Sequence, residues 1–187
     1  MEHTSEEISH ILKNGDRFTK ISLLSSMSEI TNPDIIREII SVLDDMEIQV
    51  RGEAFSALFL NSNDISEILI SSLKDESRNV RGFCALILAN RYDVNSVDSL
   101  IELTKDTSGM VRSCALGALG HLKAKNARKE IHAGIFDENI EVKKSAAFAK
   151  CLIEEEFSEL EKNELENQND DDFEKILKWW TGRDLNP

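Results

Sequence analysis

Tyrosine occurs once, proline twice, tryptophan twice and cysteine three times in this chain of 187 residues, and no apolar run is long. Each scarcity removes a class of protein. Cys84, Cys114 and Cys151 are odd in number and none sits in a C-x-x-C pair, so neither a disulfide framework nor a thiolate metal site is expected. No stretch approaches the roughly 18 apolar residues that cross a bilayer, and no basic-then-apolar segment precedes a small-residue cleavage site. The expected location is the cytoplasm, with no membrane partner. With only Pro33 and Pro187, and 6% aromatic residues, the expected helices are built from aliphatic and small side chains. Basic residues are also in deficit: 22 Lys+Arg stand against 35 Asp+Glu, a net charge of -13. Nucleic-acid phosphates are bound through Lys/Arg-rich surfaces, so this balance argues against nucleic acid and favours another protein with a basic surface.

What is present is a repeat. The pairs Val50-Arg51, Val80-Arg81, Val111-Arg112 and Val142-Lys143 follow one another at steps of 30, 31 and 31 residues. Three positions beyond each base stand Ala54, Cys84, Ala115 and Ala146. Six beyond stand Ala57, Ile87, Ala118 and Ala149, and seven beyond stand Leu58, Leu88, Leu119 and Lys150. These offsets trace one face of a helix, and its small residues let a neighbouring helix approach closely. Twelve residues before each base, Ile39, Leu69, Leu100 and Ile131 mark a preceding helix, continued by Leu43, Leu73, Thr104 and Ile135. A fixed period of helical pairs outranks every other signal for fold. The pattern predicts helices at about 34–44, 47–61, 64–74, 78–90, 95–105, 109–122, 125–136 and 140–153. A degenerate first pair over 5–14 and 17–30 precedes them. The expected units are about 5–30, 34–61, 64–90, 95–122 and 125–153: five hairpins and no strand.

An aspartate stands six residues before each base, giving Asp45 with Arg51, Asp75 with Arg81, Asp106 with Arg112, and Asp137 with Lys143. The aspartate closes the first helix of a hairpin and the base opens the second. Stacked hairpins are expected to align these charges into a structural ladder, since catalysis rarely needs four copies of one pair.

In these residues the chain resembles the HEAT-repeat superfamily, and within it the short phycobilisome-lyase-type repeats. The match runs from Asp75 through Val80-Arg81 to Cys84-Ala85 and Ile87-Leu88, and from Asp106 through Val111-Arg112 to Ala115-Leu116 and Ala118-Leu119. It covers about residues 34–153. Lys143 and Lys150 depart from the usual arginine and leucine. The resemblance implies an all-α, right-handed α-solenoid whose second helices line a concave surface. Such proteins mainly grip other proteins, although relatives include chromophore lyases and a DNA glycosylase class, and fold alone does not choose among them.

The expected binding surface lies two, five and nine residues beyond each base. It comprises Glu53, Ser56 and Leu60; Phe83, Leu86 and Asn90; Cys114, Gly117 and His121; and Ser145, Phe148 and Leu152. Phe83, Leu86, Phe148 and Leu152 are large and apolar for a solvated stripe. They either pack on the next hairpin or anchor a partner. Arg91 and Tyr92, at the rim, are candidate polar contacts.

Beyond Glu154 the composition changes. Between Glu154 and Glu174 there are eleven acidic residues, with Lys162 inside the stretch and Lys175 just past it. An exposed helix is expected near 155–166, a linker at 168–172, and a short amphipathic helix from Phe173 through Ile176, Leu177 and Trp180 within 173–187. That helix either covers the end of the array or presents Trp179 and Trp180 to a partner or to a second copy, giving a monomer or a weak homodimer.

The search for chemistry finds little. His3, His10, His121 and His132 are scattered, with no H-E-x-x-H and no phosphate-binding glycine loop. Gly117 and Gly120 lie inside a helix, where they permit close packing or expose backbone. Cys84 and Cys114 read as buried free thiols. No catalytic residue, metal or cofactor is expected. The functional expectation is a non-catalytic binding protein, most concretely a small acidic inhibitor of immunity type that covers a basic, nuclease-like toxin. The alternatives are a scaffold or adaptor subunit, or a subunit of a phycobilin-lyase-like enzyme. Leu119→Ala, at the centre of the proposed core face, is expected to cost about 2–5 kcal/mol in thermal or urea unfolding. A melting curve that overlays the parent's contradicts that face.

Overall fold

The computed structural model describes residues 4–166, and among them every regular element is helical. The expected linker at 168–172 and the amphipathic segment with Trp179 and Trp180 lie outside the described residues. The chain divides into two compact units between Ser96 and Val97. The first holds the hairpins α1 (Ser5–Asn14) with α2 (Arg17–Leu24), α3 (Pro33–Ser41) with α4 (Ile48–Leu60), and α5 (Ser66–Ser71) with α6 (Arg78–Asn90). The second holds α7 (Val97–Leu103) with α8 (Gly109–His121), α9 (Arg128–Ile135) with α10 (Ile140–Leu152), and α11 (Glu159–Glu166).

Local chemistry sets the helix ends. Thr4 and Glu7 form a capping box on α1, Asp16 caps α2, and Asn32 caps α3 with Pro33 in its first turn. Ser77 and Asn139 cap α6 and α10. The second helix of the first hairpin stops at Leu24 and not near residue 30. There the Ser25 and Ser26 hydroxyls donate back to the Ser22 and Leu23 carbonyls, and such bonds compete with helix continuation. In α3 and α5 the final turn tightens to a 3-10 turn, at Val42–Asp44 and Ser72–Lys74. Helices α6, α8 and α10 end on Tyr92, Lys123 and Glu154, all with left-handed backbone (φ 55°, 51° and 63°) and 31 residues apart.

The six-residue offset between aspartate and base turns out to act through the backbone. Arg51, Arg81 and Arg112 donate to the main-chain carbonyls of Asp45, Asp75 and Asp106, at 2.7, 2.8 and 3.0 Å. The aspartate carboxylates accept the backbone N–H two residues on, from Glu47, Ser77, Ser108 and Asn139, at 2.8–2.9 Å. The turns before α4, α6 and α8 are therefore clamped from both sides, and the turn before α10 keeps the carboxylate half. The bonds that tie one hairpin to the next use a different pairing. Lys20 reaches Asp45 at 2.7 Å, and Arg112 grips Asp137 through two bonds of 2.8 Å. Lys20 stands 31 residues before Arg51, so the first hairpin carries the same base that the later ones do. Burial opposes ionisation of Asp45 and Asp137, but the bonds from Lys20 and Arg112 outweigh it and hold both carboxyls below the usual range.

The repeat's apolar rows form the core of each unit. Val50, Val80, Val111 and Val142 are buried, as are all eight residues three and six positions beyond the bases. Ile39, Leu69, Leu100 and Ile131 face them from the first helices, almost without exposure. Thr104 is the exception in its row. It is half-buried, returns its hydroxyl to the Ile101 carbonyl at 2.7 Å, and borders a cavity of about 230 Å³ with Leu116, Gly134 and Val142.

The exposed helix expected near 155–166 is instead a shorter helix packed on α9. Phe157, Glu161 and Leu165 are buried, and only Leu160 (74% exposed) points outward among its apolar residues. The reason lies in the two lysines that break the repeat pattern. Lys150, where earlier hairpins have leucine, donates to Glu161 at 2.7 Å, and Lys143 pairs with Glu164. Ser158 and His132 complete the bonds to Glu161. Burial disfavours the Glu161 carboxylate, yet the Lys150, Ser158 and His132 bonds prevail and lower its pKa to about 2. The folded pKa lies below the unfolded one, so this group stabilises the protein above the ordinary carboxylate range. That contribution is lost as pH falls from there towards about 2. In acid unfolding, Glu161→Gln is expected to be destabilised at neutral pH and to lose less stability than the parent across that window. Parallel curves contradict the role of this carboxylate.

Candidate protein-binding face

The second helices carry the candidate face, and each unit presents its own. In the first unit, Glu53, Ser56, Phe83 and Leu86 are half-buried, while Leu60 and Asn90 are exposed. In the second, Cys114, Gly117, Ser145 and Leu152 are half-buried, and His121 and Phe148 are exposed. The rows two, five and nine residues beyond each base thus lie on the outer side of α4, α6, α8 and α10.

On α4 and α6 the face is aromatic. Phe55 meets Phe83 edge-on at 6.4 Å between ring centroids and lies 6.5 Å from Phe59. Phe59 is 40% exposed and Leu60 61%. Phe55 and Phe59 escape a search by binding rows because they stand four and eight residues beyond the base. In α6, α8 and α10 those rows are filled by Ala85, Leu116 and Ala147, and by Ala89, Gly120 and Cys151, all buried. The signal that could have found them is the substitution of phenylalanine into a row of mostly small residues. Ile48, at the start of α4, adds a further exposed aliphatic side chain.

Arg91 is not available as a rim contact. Its guanidinium donates to the carbonyls of Leu58, Phe59, Asn61 and Asn63, closing the last turn of α4 and the loop beyond it. A helix C-terminus leaves such carbonyls without intrahelical partners, and a guanidinium has the donors to satisfy several. Tyr92 remains exposed beside it.

On α8 and α10 the face is smaller in texture. Ser113 and Ser145 share a 2.8 Å hydrogen bond, the Cys114 thiol lies 3.7 Å from the Met110 sulfur, and Phe148 is 49% exposed. The two glycines of α8 separate in role. A Cβ on Gly117 would meet nothing within 4 Å, whereas one on Gly120 would lie 2.6 Å from the Ala149 Cα. Gly117 opens the face, and Gly120 lets α10 approach.

The three thiols offer no nucleophile near neutral pH, because burial pushes Cys84 and Cys151 up to about 12 and Cys114 to about 11. Among the described residues, no three His, Cys, Asp or Glu side chains gather as a metal site, and no helix is long and apolar enough to cross a membrane.

Residues 36–119 match the family model for HEAT repeats. No curated protein matches the sequence. Among solved structures, the complex of CpcE and CpcF of phycocyanin lyase from Nostoc sp. PCC7120 is similar at 19% identity, over 94% of this chain and 75% of that one, with a TM-score of 0.57. An engineered protein is similar at 18% identity, over 96% and 97% of the two chains, with a TM-score of 0.60. A designed armadillo repeat protein in complex with the peptide (KR)4 gives 17% identity, coverage of 94% and 97%, and a TM-score of 0.53. These likenesses establish the fold class, an α-solenoid of HEAT-like repeats. The two glycines supply a test of the face itself. Gly117→Ala is expected to stabilise the protein by about 0.5–1 kcal/mol, while Gly120→Ala should lower the melting temperature. Equal shifts in one direction contradict the separation of face and core.

Proposed function

We propose that this HEAT-repeat chain is a non-catalytic protein-binding protein whose second-helix face grips a basic partner. In its most concrete form it is an acidic inhibitor of immunity type that covers a basic, nuclease-like toxin. The observation that carries the reading is an outward aromatic and aliphatic surface, Phe55, Phe59, Leu60, Phe83 and Leu86, on a chain of net charge -13. Apolar side chains left on a helix face supply anchoring area, and the surrounding negative field draws in a cationic partner and hastens encounter. The designed armadillo protein bound to (KR)4 supports the choice, because that neighbour holds a peptide of basic residues on a fold of the same class. A scaffold subunit uses the same surface and differs only in the consequence of binding.

The likeness to the CpcE and CpcF complex favours a second reading, a subunit of a chromophore lyase. The two readings part on genomic neighbours: a toxin reading frame in one case, phycobiliprotein genes in the other. Affinity capture from the native cell with mass spectrometry is expected to return a basic protein whose binding weakens as salt rises. Leu86→Asp with Phe148→Asp should abolish capture and leave the circular dichroism unchanged. Undiminished capture by that double variant, or a partner held equally at all ionic strengths, overturns the assignment.

A further inference from the structure

We propose that α9 and α10 form a cationic seat for an acidic helix, that α11 occupies this seat as a strap, and that an acidic helix of a partner protein takes its place. This goes beyond the function proposed above. The seat uses the base and leucine rows of α10, not its outer rows, and its ligand has the opposite charge.

Charge reverses along the chain where the strap begins. From His121 to Lys150 seven Lys and Arg stand against four Asp and Glu, in a chain whose overall charge is -13. From Cys151 to Glu166 seven glutamates stand against Lys162 alone. The basic stretch contains α9 and α10, and the acidic one contains α11.

The contacts follow that division. Lys150 and Lys143, both buried, reach Glu161 at 2.7 Å and Glu164 respectively. His132 meets the Glu161 carboxylate at 2.8 Å, and Arg128 holds Glu155 at 2.6 Å. The Lys150 ammonium also lies 5.5 Å from the centre of the Phe157 ring. Phe157, Glu161, Glu164 and Leu165 stand at helical spacing, an aromatic residue followed by two carboxylates and a leucine on one face. In the three preceding hairpins the Lys150 row is Leu58, Leu88 and Leu119, which are buried without needing a polar partner. A buried lysine there is costly unless an opposite charge meets it, so the seat selects a cover that brings a carboxylate.

The strap is held less firmly than the hairpins. Helix α11 has eight residues, below the length at which isolated helices are stable. Leu165 and the preceding Phe157 are its buried apolar anchors, and the remaining attachments are ionic. Arg128 and Glu155 are partly exposed, so their pair weakens with salt. A segment attached in this way opens locally while the hairpins stay folded, and a helix of the same pattern competes for the vacated seat.

Peptide binding tests this on the full-length chain. A fluorescein-labelled peptide of residues 154–166 is titrated against the parent, against Glu161→Gln/Glu164→Gln, which frees the seat, and against that double variant with Lys150→Leu added. The double variant should bind the peptide about tenfold more tightly than the parent, whose own strap competes at high effective concentration. Adding Lys150→Leu, which restores the residue of the earlier hairpins, should remove the gain. The parent should sediment as a monomer. Equal affinity for parent and double variant, binding to neither, or binding indifferent to Lys150→Leu each overturn the proposal. A parent dimer that Lys150→Leu dissolves makes a second copy the occupant and overturns the assignment to a partner protein. Should the double variant fail to fold, hydrogen exchange in the parent decides: amides of α11 should exchange about ten times faster than those of α10. One common rate overturns the strap. Capture through Leu86 and Phe148 is tested separately, so the two readings fail independently.

Discussion

The clamp at the turns before α4, α6 and α8 is the interaction on which the rest depends. A guanidinium in the first turn of the second helix donates back to the carbonyl of an aspartate six residues earlier, while that aspartate's carboxylate takes the next free N–H. At the turn before α6, the Asp75 carbonyl and the Ser77 N–H are both satisfied within the seven residues from Asp75 to Arg81. The clamp ties the turn backbone to the first turn of the second helix. From α3 to α10, valine and mostly small-residue rows meet isoleucine and leucine rows, and one short sequence period specifies that core.

Fixing the inner face leaves the outer face free to vary. The rows that pack hairpin to hairpin use small residues almost throughout, down to Gly120 against Ala149. The exception on α4, where Phe55 and Phe59 stand in those rows, fills the space beside α6 with aromatic rings and spills them outward. A solenoid tolerates this because each unit contacts only its neighbours, so a local change in one pair of helices is not transmitted through a shared core. Variation confined to second-helix outer positions is how such folds acquire partners without redesigning their interior.

Much of the fold was legible in the sequence because its determinants are local and periodic. Spacing alone brought the boundaries of α6, α8 and α10 to within a residue, since the valine–base pair and the small-residue row recur without interruption. The first hairpin was harder to see: Lys20 replaces arginine, and serines end α2 early, so the period fades there. Lys143 and Lys150 looked like erosion of the last repeat. Their meaning depends on Glu164 and Glu161, long-range partners that no period announces. The candidate face was legible as rows but not as a surface. Arg91 fitted a rim contact by position, yet its guanidinium is occupied by carbonyls from a loop about thirty residues away. Phe55 and Phe59 were overlooked because their rows belong to packing everywhere else.

Site-specific photo-crosslinking in the native cell tests the central claim most directly. A photoreactive phenylalanine analogue at Ser56 or Gly117 samples the outer face of the second helices, and one at Arg37 or Glu67 samples exposed positions of the first helices. The account predicts a discrete protein adduct from the former pair and none from the latter. Adducts confined to Arg37 and Glu67 contradict it.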